Sequence, residues 1–153
     1  LFLKSAAQGS YTATLTDRAL RDLSASGVMQ QPPEPVEGAT TVQQLVDQRV
    51  LGAGERAFLV ASDGRVVGLV TVSDIARLPR EQWASMAVSH IMVPAGRVVT
   101  VTSRTAVLEA MKLMQEHDVH QLPVLDDGRL VGMLSRGDVL NQLEVRLQFS
   151  DGR

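Results

Sequence analysis

The chain has 153 residues, a formal net charge of −2 and no cysteine, which excludes a disulfide framework and suits a reducing compartment. No long basic run is present, so the chain lacks the electrostatic footprint of a nucleic-acid binder. No apolar run reaches the roughly 18 residues of a membrane span and no signal peptide stands at the start. Opening on Leu1, the chain reads as a piece of something longer. Hydrophobic residues make up 44% and aromatics only 3%, so the expected core is aliphatic.

Leu15, Ala19, Leu20 and Leu23 form a helical stripe behind Thr16 and Asp17, predicting a helix over residues 14–24. Gly27 is suited to end it, and Pro32, Pro33 and Pro35 prevent its resumption. Residues 1–27 are therefore expected to be a linker helix, followed by extended chain. A helix over 42–51 comes next, then strands around 58–61 and 66–70 joined at Ser62-Asp63-Gly64-Arg65, then a helix from Ile75. Leu78-Pro79-Arg80-Glu81-Gln82-Trp83 reads as a connector, with Trp83 expected to cover a seam between halves. A short strand is predicted over 98–101. Ala106, Val107, Ala110, Met111 and Met114 mark one face of the following helix. Strands over 119–125 and 130–134 meet at Asp126-Asp127-Gly128-Arg129, where Asp-Gly signals a hairpin. Val139, Leu140, Leu143 and Leu147 carry the last helix, with more apolar surface than packing on one side needs.

The order repeats. Gly64 and Gly128, Gly68 and Gly132, Thr71 and Ser135, and Asp74 and Asp138 are all 64 positions apart. A register that holds two glycines and an acid marks a tandem repeat. The predicted class is α/β (α+β): two strand–helix–strand–strand–helix (βαββα) halves related by pseudo-twofold symmetry, behind the N-terminal linker helix. The expected division is 1–27, 28–84 and 85–150. About 60 residues bury too little surface to stand comfortably alone, so the halves are expected to share a core.

Thr71-x-x-Asp74 and Ser135-x-x-Asp138 each lie where a strand hands over to a helix. A hydroxyl followed three residues later by an acid fits a reciprocal helix cap, and the macrodipole favours the acid there. The same geometry serves a ligand: free N–H groups and a hydroxyl hold a phosphate, and the acid accepts from a ribose diol. Spacing alone leaves both readings open. His90, His117 and His120 make no metal set, and no nucleophile–base order or glycine-rich phosphate loop is present. No catalytic residue is predicted.

The strand–turn–Gly-x-x-[Thr/Ser]-x-x-Asp–helix unit, with Leu122-Pro123-Val124 upstream, resembles the CBS domain, and two copies resemble the tandem pair called a Bateman module. The likeness covers roughly residues 28–148. It implies a non-catalytic regulatory module with clefts for an adenosine-containing ligand of the AMP, ADP or ATP type, and no required cofactor. By that resemblance Asp74 and Asp138 receive ribose hydroxyls and Thr71 and Ser135 lie near ribose or phosphate. Gln121 and Leu122, with Ala57 and Phe58 in the first copy, would lie against adenine. Arg136 beside Ser135 offers a phosphate a cation where the first copy has Val72. The first copy also has Leu59 in place of Pro123, and its opening segment reads about two residues shorter, a curtailed strand. The Ser135 site is therefore the better formed expectation. Pairs of this kind often self-associate, so a homodimer is expected.

Phe2-Leu3-Lys4-Ser5-Ala6-Ala7, Ser10-Tyr11, Pro79-Arg80-Glu81-Gln82-Trp83 and Val88-Ser89-His90-Ile91-Met92-Val93-Pro94 are also similar to site-2-protease-type zinc metalloproteases (M50 peptidases) that carry such a pair. That resemblance implies an attached intramembrane protease domain holding the zinc, and a place on the cytoplasmic side of a membrane. A ligand-free dimerisation or scaffold module, or a pair from another host such as a transporter, is the alternative.

Overall fold

The computed structural model describes residues 16–151, in two compact units, one of residues 33–98 and one of residues 16–32 with 99–151. The stretch from Phe2 to Tyr11 that carries part of the protease likeness lies outside the described residues.

In the first unit, β1 (Val36–Glu37), β2 (Ala57–Ser62), β3 (Arg65–Thr71) and β4 (Val93–Pro94) form one sheet in that order. β1 runs parallel to β2, and the other pairs are antiparallel. The turn between β2 and β3 puts Asp63 at φ 52° and Gly64 at φ 79°. Two left-handed residues in succession match the right-handed twist of the flanking strands, which is why Asp-Gly sits there. Helix α1 begins at Val42–Leu45 under a Thr41/Gln44 capping box, widens into a π-helix over Val46–Val50 and ends at Leu51–Ala53. α2 (Val72–Ala76) follows β3. Val42, Leu45, Phe58, Val60, Val70 and Val88 are sealed in the core, where Phe58 is the one aromatic. Trp83 packs on this core and donates its indole N–H to the Leu78 carbonyl at 3.1 Å.

The second unit repeats the plan with thinner edges. β5 (Gln121–Asp126) and β6 (Arg129–Ser135) form the hairpin, with Asp127 at φ 51° and Gly128 at φ 77°. Both hairpins slip register at the same place, Val60/Ala61 and Val124/Leu125. α3 (Val107–His117) buries Val107, Ala110 and Met114, and α4 (Arg136–Asp151) buries Val139. Val70 and Leu134, 64 positions apart, are both fully buried. Ser103 hydrogen-bonds Asp126 through its backbone N–H at 3.0 Å. The hydroxyl and N–H of Ser103, with the Arg104 charge, hold this carboxyl below its ordinary range.

Three expectations need correction. The strand over 98–101 shrinks to one parallel bridge, Val101 to Val124. The first copy's strand is not the curtailed one, since β1 pairs at two positions. The N-terminal helix, among the described residues, covers only 16–20. It stops because the chain beyond it has other partners. The Leu23 carbonyl accepts from Val107 N–H at 2.9 Å, Ala25 N–H donates to Thr105, and Gln30 pairs with Met133. Residues 23–30 thus supply the second hairpin with the edge that 86–94 supply to the first.

The π-helix has a simple origin. From Val42 to Phe58 is 16 residues, but from the equivalent Val107 to Leu122 is 15. A π-turn absorbs one extra residue without moving either end.

Gly68 and Gly132 are needed for close approach, not for an unusual φ. A Cβ on Gly68 would lie 2.6 Å from both the Val93 carbonyl oxygen and Met92 Sδ, and one on Gly132 would meet Met29 Sδ at 2.5 Å and the Gln30 carbonyl oxygen at 3.1 Å. Overpacking of this kind costs about 1–3 kcal/mol. Gly68→Ala is expected to lower stability to denaturant by about that amount. Gly132→Ala should cost less, because a flexible methionine yields where a backbone carbonyl does not. Equal losses would contradict this account.

Candidate functional site

In each unit the second hairpin strand runs into a helix, and the hydroxyl residue at that junction pairs across the sheet with a residue of the preceding strand: Thr71 with Ala57, Ser135 with Gln121. The first N–H of the helix donates back across the same junction, Val72 to the Arg56 carbonyl at 3.0 Å and Arg136 to the His120 carbonyl at 2.8 Å. Ser135, Arg136, Gln121 and Leu122 are therefore neighbours, as are Thr71, Ala57 and Phe58.

The two acids are in different states. Thr71 N–H and hydroxyl each donate to Asp74 Oδ2 at 3.0 Å, and Asp74 N–H donates to Thr71 Oγ1 at 3.2 Å. The other carboxylate oxygen lies 3.5 Å from the Arg77 guanidinium, and the Asp74 side chain is only 14% exposed. This is a complete capping box, which settles orphan N–H groups at the helix start. In the second copy Ser135 Oγ accepts from Asp138 N–H at 3.1 Å, but the Asp138 carboxylate has no partner among the described residues. Ser135 satisfies the helix; Asp138 remains available.

Phe58 and Leu122 are fully buried in their cores. The Arg49 guanidinium sits 5.2 Å from the Phe58 ring centroid, held by Glu55 at 2.6 Å and by the Glu34 carbonyl at 2.8 Å. These two side chains offer no free surface. Ala57 is buried as well, so Gln121, half-buried, is the lead-strand side chain with exposed atoms. Arg136 and His120 both line a groove of about 550 Å³. Arg56 escaped the sequence reading, although the offset of 64 sets it opposite His120 and so beside the first helix start. Among the described residues no group of three or more metal-ligating side chains occurs.

Two strand–strand–helix units, each with a hydroxyl and an acid at the helix start, make a tandem repeat. Residues 21–81 and 88–145 match the CBS domain, and the chain belongs to that family. The CBS domain is a regulatory, non-catalytic unit. Among curated proteins, the chain is 33% identical over 90 residues to the mitochondrial CBS domain-containing protein CBSX3 of Arabidopsis thaliana, covering 55% of this chain and 44% of that protein. It is 22% identical over 117 residues to a Synechocystis protein named as a zinc metalloprotease, covering 74% and 31%. It is 38% identical over 89 residues to the magnesium transporter MgtE of Thermus thermophilus, covering 57% and 18%. The chain spans less than half the length of each of these relatives. Among solved structures, a CBS protein from Burkholderia ambifaria, named for signal transduction, is 26% identical at a TM-score of 0.67, covering 87% of this chain and 93% of that one. A CBS domain pair solved with 5′-methylthioadenosine and S-adenosyl-L-methionine shares the fold, with a TM-score of 0.68 at 18% identity, covering 80% and 97%.

Without ligand, Asp74→Ala is expected to destabilise the first unit by about 1 kcal/mol, the usual cost of losing a cap. Asp138→Ala removes no side-chain hydrogen bond and is expected to cost less, about 0.5 kcal/mol, the favourable dipole contribution of an acid in the first turn of a helix. Denaturant titration of both variants reads this difference directly, and equal losses would remove the asymmetry.

Proposed function

We propose that this chain is a regulatory module that binds an adenosine-containing ligand of the AMP, ADP or ATP type at the second copy and thereby biases an attached protein. The carrying observation is the unpaired Asp138 carboxylate beside Ser135, at a helix start whose Arg136 offers a cation. Asp138 accepts from the ribose diol, Ser135 and the helix N–H groups face the phosphate, and Gln121 lies at the base. Thr71 and Asp74 serve the first copy mainly as a cap, with Ala57 and Phe58 behind them. The likeness to the pair solved with two adenosyl ligands supports the ligand class.

A thermal-shift series with AMP, ADP, ATP and S-adenosylmethionine tests this reading. A ligand at 100 times its Kd raises stability by about 2.7 kcal/mol. Asp138→Asn should weaken binding by about 1–3 kcal/mol, the range for hydrogen bonds to a charged group, and Asp74→Asn by less. If Asp138→Asn melts lower yet binds as before, the acid is a cap only.

The attached protein in this proposal is an M50-type zinc metalloprotease of the membrane, with the module on its cytoplasmic side. Its support is the similarity to the Synechocystis protein together with the resemblance in residues 79–83 and 88–94. The similarity to a magnesium transporter keeps a transporter as the other host. A second reading, a dimerisation module, is favoured by Leu140 and Phe149 on α4, which are 46% and 76% exposed. These residues fit a homodimer joined through α4 in either reading. Light scattering is expected to give twice the chain mass at micromolar concentration, and Leu140→Glu to reduce it. A monomer at high micromolar concentration would overturn the dimer.

A further inference from the structure

The groove of about 550 Å³ lies within the second unit and is of the usual size for a small-molecule site. None of Ser135, Asp138 and Gln121 lines it. Leu108, Met111 and Met114 supply apolar surface from α3, and Lys112, Asp118, His120 and Arg136 supply the groups that carry or take up charge. Leu108 and Met111 are only partly buried, packed on the core with one side. Lys112, Asp118, His120 and Arg136 are exposed, and none of their side chains has a hydrogen-bond or ion-pair partner among the described residues. With histidine counted as neutral, Lys112 and Arg136 against Asp118 leave the lining one net positive charge.

The first unit provides an internal control. Counting from the equivalent helix starts at Val42 and Val107, Leu108 answers to Gln43, Met111 to Val46 and Lys112 to Asp47. Gln43 Nε2 donates to Asp47 Oδ1 at 3.0 Å, so that side of α1 is polar and satisfies itself. Arg136 answers to Val72, and only His120 has a basic counterpart, Arg56. The same βαββα plan is thus built with an amide where the second unit has Leu108 and an acid where it has Lys112. An apolar strip beside an unpaired ammonium is not a requirement of the fold.

We propose that this groove is a ligand site separate from the Ser135–Asp138 junction, and that it takes a small monocarboxylate with an apolar tail, of the medium-chain fatty acid type. The carboxylate meets the Lys112 ammonium and the Arg136 guanidinium, whose charge-assisted hydrogen bonds suit it. The tail lies along Leu108, Met111 and Met114, and unbranched methionines adapt to its shape. A monoanion neutralises the single net charge of the lining, whereas a polyanion would exceed it. The same charge refuses a cationic amphiphile. The inference does not rest on the adenosine reading. Arg136 is the residue that both sites can use, because it follows Ser135 directly, so the variants that separate them are on α3.

Calorimetric titration of the whole chain with hexanoate, octanoate and decanoate, beside octanol and octylamine, tests this. Affinity for the carboxylates is expected to rise about fourfold with each added methylene, the increment for burying one. Octanoate should bind about tenfold tighter than octanol, as a hydrogen bond to a charged group implies, and octylamine should bind weakest. Lys112→Asp and Leu108→Gln give α3 the residues that the first unit carries at the same places, so the fold accommodates both. Lys112→Asp should weaken octanoate by about tenfold or more and leave octanol unchanged. Leu108→Gln should reduce the dependence on chain length. In amide NMR spectra octanoate should shift Lys112 and Gln115 and leave Gln43 and Asp47 in place. Absence of saturable octanoate binding, equal affinity for octanoate and octylamine, octanoate affinity that survives Lys112→Asp, or shifts shared by both units would each overturn the proposal. None of these outcomes touches the reading of Ser135 and Asp138, which the nucleotide series tests by itself.

Discussion

A two-stranded hairpin is at best marginally stable in water, and each unit is built on one. What makes each hairpin a sheet is chain brought in from outside it: β1 and β4 around β2–β3, and the bridges at Val101 and Gln30 around β5–β6. The outer segment approaches so closely that only glycine fits beneath it, at Gly68 under Val93 and at Gly132 under Met29 and Gln30. The rest of the architecture depends on that contact. It explains why the glycines recur at an offset of 64, and why the chain before the first repeat is committed to the second.

Local chemistry made much of this legible. Asp-Gly turns located both hairpins, short apolar runs on either side located their strands, and the stripe of Val107, Ala110 and Met114 located α3. Illegible features were those decided by distant partners. Residues 21–24 have helical spacing, but Leu23 and Ser24 are held by Val107 and Ala106, which no local pattern reveals. The strand over 98–101 has β-branched residues throughout, yet only Val101 meets a neighbour. The π-turn left a trace only in the count between equivalent positions.

The candidate site shows the same limit in another form. Thr71-x-x-Asp74 and Ser135-x-x-Asp138 are the same pattern, and both place a hydroxyl on the N–H of the acid. Spacing placed all four residues but could not say which acid is engaged. That depends on side-chain rotamers and neighbours: Thr71 turns its hydroxyl and N–H onto Asp74, with Arg77 at 3.5 Å on the far oxygen, while Asp138 has neither bond. Buried Phe58 and Leu122 teach the complementary lesson. Being adjacent to a site in sequence does not place a side chain in it, because successive strand residues point to opposite faces.

Topology also determines which copy the N-terminal segment answers to. Gln30 pairs with Met133, two residues before Ser135 on β6, whereas Leu69, the equivalent of Met133 in the first copy, pairs with Val93. A displacement of the β6–α4 junction is therefore felt directly by residues 23–30, through the backbone bonds between Gln30 and Met133 and the Met29 side chain over Gly132. A displacement at Thr71 is felt instead by 86–94. A ligand shifts an equilibrium only by its difference in affinity for two arrangements. Under the proposed binding at Ser135 and Asp138, the segment that would register the ligand first is residues 23–30. They edge the copy in which the acid is free and the groove is positively charged. The site with chemistry to spare and the strand edge linked to the rest of the chain belong to the same unit.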